Sequence, residues 1–422
     1  LIHKIWGLLI FAILILLVFQ AVFTLAAYPM DWIDESFAMM ISYFNELLPE
    51  GAFYDLLTEG LLSGIGGVVI FIPQIAILFA CISLLEESGY MSRVVYMMDN
   101  IMQRFGLNGR SVVPLVSGAA CAIPAIMSAR SITNWKERMI TIFVTPLISC
   151  SARIPVYTIL IALVIPEKTI FGIFNLQGLT LFSLYLLGFL AAIGSAYLLK
   201  FIIKSKEQSF FLMEFPRYKI PQLKNVGITI YTKTKAFVFE AGKIIIAIST
   251  ILWVLASYGP GDALLNAETN VRQNNPELEG KALEQKIASK KIEMSYAGKI
   301  GKFIEPSIEP LGFNWKIGIA LLTSFAAREV FVGTMATIYS IESDDDQNLP
   351  LKTRMRAEKD PDTGDRFYTP AVGISLMVFY AFAMQCMSTL AVVYRETNSW
   401  TWPVLQLIYM TALAYVSSLL AY

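Results

Sequence analysis

The chain has 422 residues, 56% of them hydrophobic and 16% charged, with a mean hydropathy of +0.58. That is too apolar and too lightly charged for an ordinary soluble protein. The 33 basic and 33 acidic residues cancel, so no basic field directs the chain to nucleic acid.

In chain order, the first apolar span is expected at 5–27, too long for a cleaved signal peptide. Residue 1 is Leu rather than Met, which is what a fragment would show. The stretch 28–60 carries Asp31, Asp34, Glu35, Glu46, Glu50, Asp55 and Glu59 and no Lys or Arg, and so reads as an external loop and helix. Residues 61–85 form the next span, whose glycines in GIGGVVIFIPQ permit close helix packing. Gly64, Gly66 and Gly67 lack the following Lys-Ser/Thr of a phosphate-cradling loop. The arginines of 86–110 mark a cytoplasmic stretch. Residues 111–129 are short and Pro-broken, which predicts a re-entrant piece. Spans follow at 139–165 and 179–199.

Nine lysines and arginines between 200 and 243 give a cytoplasmic signature. The interleaved Phe210, Phe211, Phe215 and Phe237 predict an amphipathic segment on the membrane surface. A span at 244–258, a polar surface insertion at 261–291, apolar stretches at 317–339, 371–394 and 402–421, and a charged linker at 342–366 complete the chain. The expected fold class is an all-α polytopic membrane protein with about 7–9 membrane segments. Its organisation reads as 1–60, a first gate repeat at 61–203, a cytoplasmic linker at 204–240 and a second gate repeat at 241–422.

The repeat rests on two segments. YMSRVVYMMDNIMQRFGLN at 90–108 and YAGKIGKFIEPSIEPLGFN at 296–314 share Tyr, a basic residue, an acid (Asp99, Glu305) and a closing Gly-apolar-Asn in register. Just beyond, SGAAC ending at Cys121 faces SFAAR ending at Arg328. The charge pattern gives the two repeats opposite directions across the membrane. Inverted repeats with broken helices meeting near the midplane are a transporter signature. Chance similarity among apolar segments is the plainer alternative, against which stand the matched Gly and Asn positions.

The organising stretch is 109–157. Pro114, Pro124, Pro146 and Pro155 interrupt it, and each proline removes a helical hydrogen bond and crowds the preceding turn. In lipid such breaks survive only where protein or a water-filled cavity receives the freed backbone groups. Cys121 lies in GAACAIP, Cys150 in ISCSARIP and Cys386 in AFAMQCMST; Cys81 sits among large apolar residues. A free cysteine is often only a small buried hydrophobe, and for Cys81 that reading is preferred. Cys121 and Cys150, in small-residue, Pro-flanked contexts, and Cys386, beside Met384, Gln385 and Met387, are candidate ligands for a soft or borderline metal. Ser149 and Ser151 are candidate oxygen ligands, or bond back to helix carbonyls. Met384, with Met127 and Met387, could add thioether sulfur, although methionine more often fills gaps.

No CxxC or other zinc spacing occurs, and His3 is the one histidine, which argues against a His-rich zinc or manganese transporter. Charges at membrane depth are costly and are paired or functional. Arg153 and Arg328 read first as holders of broken-helix carbonyls or of a carboxylate. Glu329 adjoins Arg328. Glu86 and Glu87 are either a cation-attracting mouth or a solvated helix end.

These blocks resemble a known family. GGVVIFIPQIAILFACISLLEESGYMSR, GLNGRSVVPLVSGAACAIPAIMSAR, TPLISCSARIPVY, AGKIIIAISTILW and LLTSFAAREVFVGTM closely resemble the membrane (gate) domain of the ferrous iron transport protein B family, over nearly the whole chain. The resemblance implies a multi-pass importer of Fe(II) in the bacterial inner membrane, not an enzyme. It implies that Cys121, Cys150 and Cys386 are the path ligands. It further implies a cytoplasmic G domain, in cis or in trans, a small accessory protein, and the lipid bilayer as surroundings. Small residues in the helices are compatible with a homo-oligomer without demanding one. One departure is large: no GxxxxGK[ST] occurs, so GTP and Mg would act only through a G domain outside these residues. The rival readings are an organic-solute (nucleoside-like) transporter on a related gate fold, and a non-transporting assembly module.

Overall fold

The computed structural model describes residues 6–47, 51, 54, 56–166, 168–170, 174–203, 218–260, 287, 290–291, 293–325, 328, 330–342, 355–356, 358, 366–384 and 386–422. Most of the expected insertion at 261–291, the aromatic part of the linker at 204–217, most of the charged linker at 342–366, and Glu329 lie outside the described residues. The fold is all-α; among the described residues the one β pairing is a two-residue antiparallel hairpin, Thr169–Ile170 with Phe174–Asn175.

Among the described residues, six helical runs are long and apolar enough to cross a membrane: Trp6–Phe44, Gly64–Glu87, Trp135–Val164, Leu176–Ile202, Pro370–Thr397 and Thr401–Ala421. The other apolar stretches of the expected set are present as short or interrupted helices, such as Gly242–Ser257 with 16 residues. The first helix, α1 (Trp6–Leu47), runs 42 residues through Pro29 into the acidic stretch rather than ending near residue 27. At 1.5 Å per residue it is about 63 Å long, well beyond the hydrocarbon thickness.

The chain divides into two compact units. One comprises 1–151, 189–247 and 388–406; the other comprises 152–188, 248–387 and 407–422. In the first unit, α2 (Ser63–Val69), α3 (Ile72–Glu87), α4 (Tyr90–Met102), α5 (Val112–Gly118), α6 (Ala122–Ser128) and α7 (Trp135–Val144) pack with α10 (Leu223–Ala236). Their core joins Ile75 and Phe79 to Ile126, Phe143, Phe237 and Val393.

In the second unit, α8 (Ile154–Val164) packs on α14 (Val330–Glu342) and α15 (Pro370–Phe382), while α12 (Tyr296–Ile308) packs on α13 (Trp315–Thr323). Tyr157, Leu160, Phe331, Leu376 and Tyr380 are central there. The remaining elements are α9 (Leu176–Ile202), α11 (Gly242–Ser257), α16 (Met387–Thr397) and α17 (Thr401–Ala421). Large apolar side chains stand exposed along α9 and α17, among them Phe182, Leu190, Ile408 and Leu420. In water such faces would be a liability; in lipid they are the natural outer surface.

The repeat seen in sequence has a structural counterpart in each unit. After α4 comes a 3-10 turn, a left-handed Gly106 (φ +79°) and Asn108, whose side chain accepts the Arg110 N–H. After α12 comes the same turn, Gly312 (φ +78°) and Asn314, whose side chain accepts the Ile317 N–H at 3.1 Å. Glycine is needed at both left-handed positions because a Cβ is strained there. Each turn feeds a short helix that then breaks.

Candidate functional site

Among the described residues four interrupted apolar runs stand out, and Cys121, Cys150 and Cys386 lie at three of the interruptions. The first break, residues 119–121, separates α5 from α6. Cys121 is extended (φ −155°, ψ 134°) and caps α6, whose first turn contains Pro124. The second break, residues 148–150, interrupts the span Trp135–Val164. Pro146 sits in a 3-10 turn before it, and Pro155 in the first turn of α8 after it. A proline in a first turn is tolerated because that N–H has no helical acceptor. The third break follows α13 at Ser324. The fourth, residues 383–386, interrupts the span Pro370–Thr397 and contains Cys386.

A break frees backbone carbonyls that lipid cannot satisfy, so their partners define the site. In the first unit the Ala120 carbonyl accepts from the Ser151 hydroxyl at 2.9 Å and from the Ser151 N–H at 3.4 Å. Gln74 from α3 donates its side-chain amide to the same hydroxyl at 3.0 Å. The segments bearing Cys121 and Cys150 are thereby tied together one residue from each cysteine. In the second unit the Met387 N–H donates to the Phe325 carbonyl at 3.1 Å, tying the third break to the fourth. In both units, then, the residue after a cysteine, Ser151 or Met387, donates its N–H to a carbonyl of the preceding broken helix. Cys150 and Cys386 hold equivalent positions.

The other expected site residues are placed as follows. Ser149 is fully buried, and Ser151 donates its hydroxyl proton to the Ala120 carbonyl, 31 residues away, rather than back to its own helix. Cys121, Cys150 and Cys386 are partly buried, and none is in a disulfide. Met384 is buried beside the fourth break. Arg328 is buried and donates Nη2 to the Ala383 carbonyl, freed at the end of α15, at 3.4 Å. Arg153 is fully buried, the largest such side chain among the described residues, at the start of α8.

Glu86 and Glu87 end α3 but part company. Glu87 accepts from Asn225 of the α10 first turn at 3.0 Å. Glu86 lines a cavity shared with Arg110, Arg130 and Lys233. Among the described residues no three His, Cys, Asp or Glu side chains gather where one ion could be held. Sequence reasoning missed Gln74 and the Phe325 carbonyl, because neither residue type marks itself as a break partner.

These features define a polytopic helical membrane protein with a duplicated broken-helix gate. The Gate family model, described as nucleoside recognition, matches residues 68–164 and 238–400. The model for the ferrous iron transport protein B C terminus matches 181–233. The chain is 45% identical, over its whole length, to the Fe(2+) transporter FeoB of Leptospira biflexa serovar Patoc, of which it covers 58%. It is 37% identical to a Porphyromonas gingivalis Fe(2+) transport protein A/Fe(2+) transporter FeoB fusion protein, covering 50%, and 34% identical to the Staphylococcus aureus MSSA476 Fe(2+) transporter FeoB, covering 57%; both matches span the whole chain. The chain thus spans little more than half the length of these relatives. No solved structure matches. The chain belongs to the ferrous iron transport protein B family and represents its membrane part.

Proposed function

We infer that this chain is the ion-conducting part of a ferrous iron importer in a bacterial inner membrane. Fe(II) enters from the acidic side of 28–60, meets sulfur and oxygen donors at the breaks, and leaves at the Lys-rich cytoplasmic face. Cys121, Cys150 and Cys386 are the soft ligands. Ser149, Ser151 and Met384 are secondary donors or supports. Arg153, Arg328, Glu329, Glu86, Glu87, Pro124 and Pro155 shape the breaks or gate them. The two repeats are inverted about the membrane plane.

The observation that carries this reading is the shared placement of Cys150 and Cys386, each just before the N–H that ties two breaks together. Sulfur at an interrupted helix suits a borderline divalent ion, and scattered weak ligands let it leave again. The names of the full-length relatives supply the identity of the ion. GTP and Mg act through a G domain outside these residues, and a small accessory protein is a further partner, in line with the printed name of the Porphyromonas relative. A homo-oligomer would bring further copies of the chain together.

The test is uptake of labelled Fe(II) by cells lacking other ferrous routes, with the chain expressed together with its GTP-binding part. Cys121→Ser and Cys150→Ser should reduce uptake at limiting iron toward the empty-vector level. Unchanged uptake removes the thiolate path. The description of the Gate family favours a second reading, transport of a nucleoside-like solute; it predicts metal-independent nucleoside uptake that survives both cysteine variants.

A further inference from the structure

The geometry points to a phosphate-binding site in the first unit, in the cavity between α3, α4 and α10 where Arg110, Arg130 and Lys233 converge. The ligand is a phosphate ester: the headgroup of an anionic phospholipid, or a soluble phosphate compound.

The cavity holds about 400 Å³, far more than a water molecule needs. Its charges come from five elements. Glu86 is at the end of α3, Arg110 in the turn before α5, Arg130 in the turn after α6, and Lys233 on α10. Glu396 of α16 reaches Arg130. Arg130 is already claimed: its Nε and Nη2 grip the Glu396 carboxylate at 2.6–2.9 Å. Arg110 gives Nη1 to the Ser131 carbonyl at 2.8 Å, a neutral acceptor that leaves its charge unmatched. The Lys233 ammonium sits 5.9 Å from the Phe79 ring and has no carboxylate in ion-pair contact among the described residues. Three cations face two carboxylates, one of them committed. Burial, and then the charge of Arg130, push the Lys233 amine below the ordinary lysine range. The carboxylates of Glu396 and Glu86 act the other way and offset part of this.

The second repeat supplies an independent observation. Counting from the matched Asn108 and Asn314, Arg110 corresponds to Lys316. Lys316 is buried, and its site is filled: Glu358 accepts from its Nζ at 2.9 Å, and the Tyr339 hydroxyl bonds the same carboxylate. Among the described residues, then, one basic position of the repeat has a carboxylate in ion-pair contact and its counterpart has none. The surroundings favour a lipid as the source. The helix carrying Lys233 exposes Leu223, Ile228 and Tyr231 beside Lys224 and Lys235, the composition of a helix lying at a membrane surface.

The experiment reads the Lys233 amine directly. The purified chain is reconstituted in phosphatidylcholine vesicles, with or without phosphatidylglycerol, and treated with an amine-acylating reagent. Modification of Lys233 is quantified against the exposed Lys235 by peptide mass spectrometry. A bound phosphate keeps the proton on Lys233, so phosphatidylglycerol should slow its acylation while Lys235 is unaffected. Arg110→Gln should weaken this protection about tenfold in Kd, the equivalent of about 1.4 kcal/mol. Protection by inorganic phosphate in phosphatidylcholine alone assigns the site to a soluble phosphate. If neither phosphatidylglycerol nor inorganic phosphate protects Lys233 in the unmodified chain, the site does not exist, whatever the variant does.

Discussion

Asp99 and Glu305 perform the same task in the two halves of the chain. Asp99 accepts the Gly109 N–H at 2.8 Å and Glu305 accepts the Trp315 N–H at 2.9 Å, each ten residues downstream. The carboxylate staples the end of one helix to the start of the next, across the left-handed glycine. Asp99→Ala and Glu305→Ala should each cost about 1–3 kcal/mol, the usual loss when a backbone donor loses a charged acceptor. Thermal unfolding in detergent should show both variants shifted in the same direction, with Asp99→Ala the more severe because Asp99 also accepts from Gln103 at 2.6 Å.

Gly109 and Gly67 should respond in opposite ways to a methyl group. A Cβ on Gly109 would drive into the Val95 carbonyl oxygen and come within 2.8 Å of the Asp99 Cβ, whereas a Cβ on Gly67 meets nothing within 4 Å. Gly109→Ala should destabilise by roughly 1–3 kcal/mol through overpacking. Gly67→Ala should be neutral or stabilising, since alanine favours the helix by about 1 kcal/mol. Melting of the two variants side by side separates close packing from a general intolerance of change.

Ser151 tests whether a hydroxyl beside Cys150 is a support rather than a ligand. With its proton on Ala120 and its lone pair receiving Gln74, it positions the break. Ser151→Ala should lower the apparent affinity for Fe(II) about ten- to a hundredfold, the range seen when groups that orient metal ligands are lost. Gln74→Ala should move uptake in the same direction by less. The double variant should be no worse than Ser151→Ala alone, because both act through one hydroxyl.

Glu293 gives a pH dependence with a fixed sign. Burial pushes its carboxyl up, but hydrogen bonds from Lys290 and Lys302 at 2.7 Å, together with their charges, outweigh that and hold it below the ordinary carboxylate range. A depressed carboxylate contributes stability above its unfolded pKa and loses it as pH falls through the folded value. Protection of the segment leading into α12 should therefore weaken as pH drops below about 4, and Glu293→Gln should remove the dependence. Both lysines are more than a third exposed, so the effect is about 1 kcal/mol or less. Amide exchange at Ser295–Gly298 as a function of pH reports it.

Much of this architecture could be read from residue types. Pro124, Pro146 and Pro155 announced the breaks because proline acts locally, through its own missing N–H. The repeat was visible because a left-handed turn before a capped helix demands glycine and then asparagine, as at Gly106–Asn108 and Gly312–Asn314. What lay beyond the sequence was tertiary. Gln74 meets Ser151 across 77 residues, and nothing in GIGGVVIFIPQ marks that glutamine. The continuity of α1 was missed for a different reason: the acidic stretch read as a loop and helix separate from the first span, yet a charged helix outside the hydrocarbon keeps its hydrogen bonds at no desolvation cost. Glu86 was read from its place at a helix end, and only the folded chain puts three cations around it.

The carboxylate of Glu358 on Lys316 has a bearing on how a duplicated protein diverges. One copy has recruited its own tether to quiet a basic corner, and so is indifferent to what surrounds it. Its sibling has no such carboxylate among the described residues, and the anion proposed for that corner would come from outside the chain. A protein assembled from twin halves would in this way answer to its environment through only one of them.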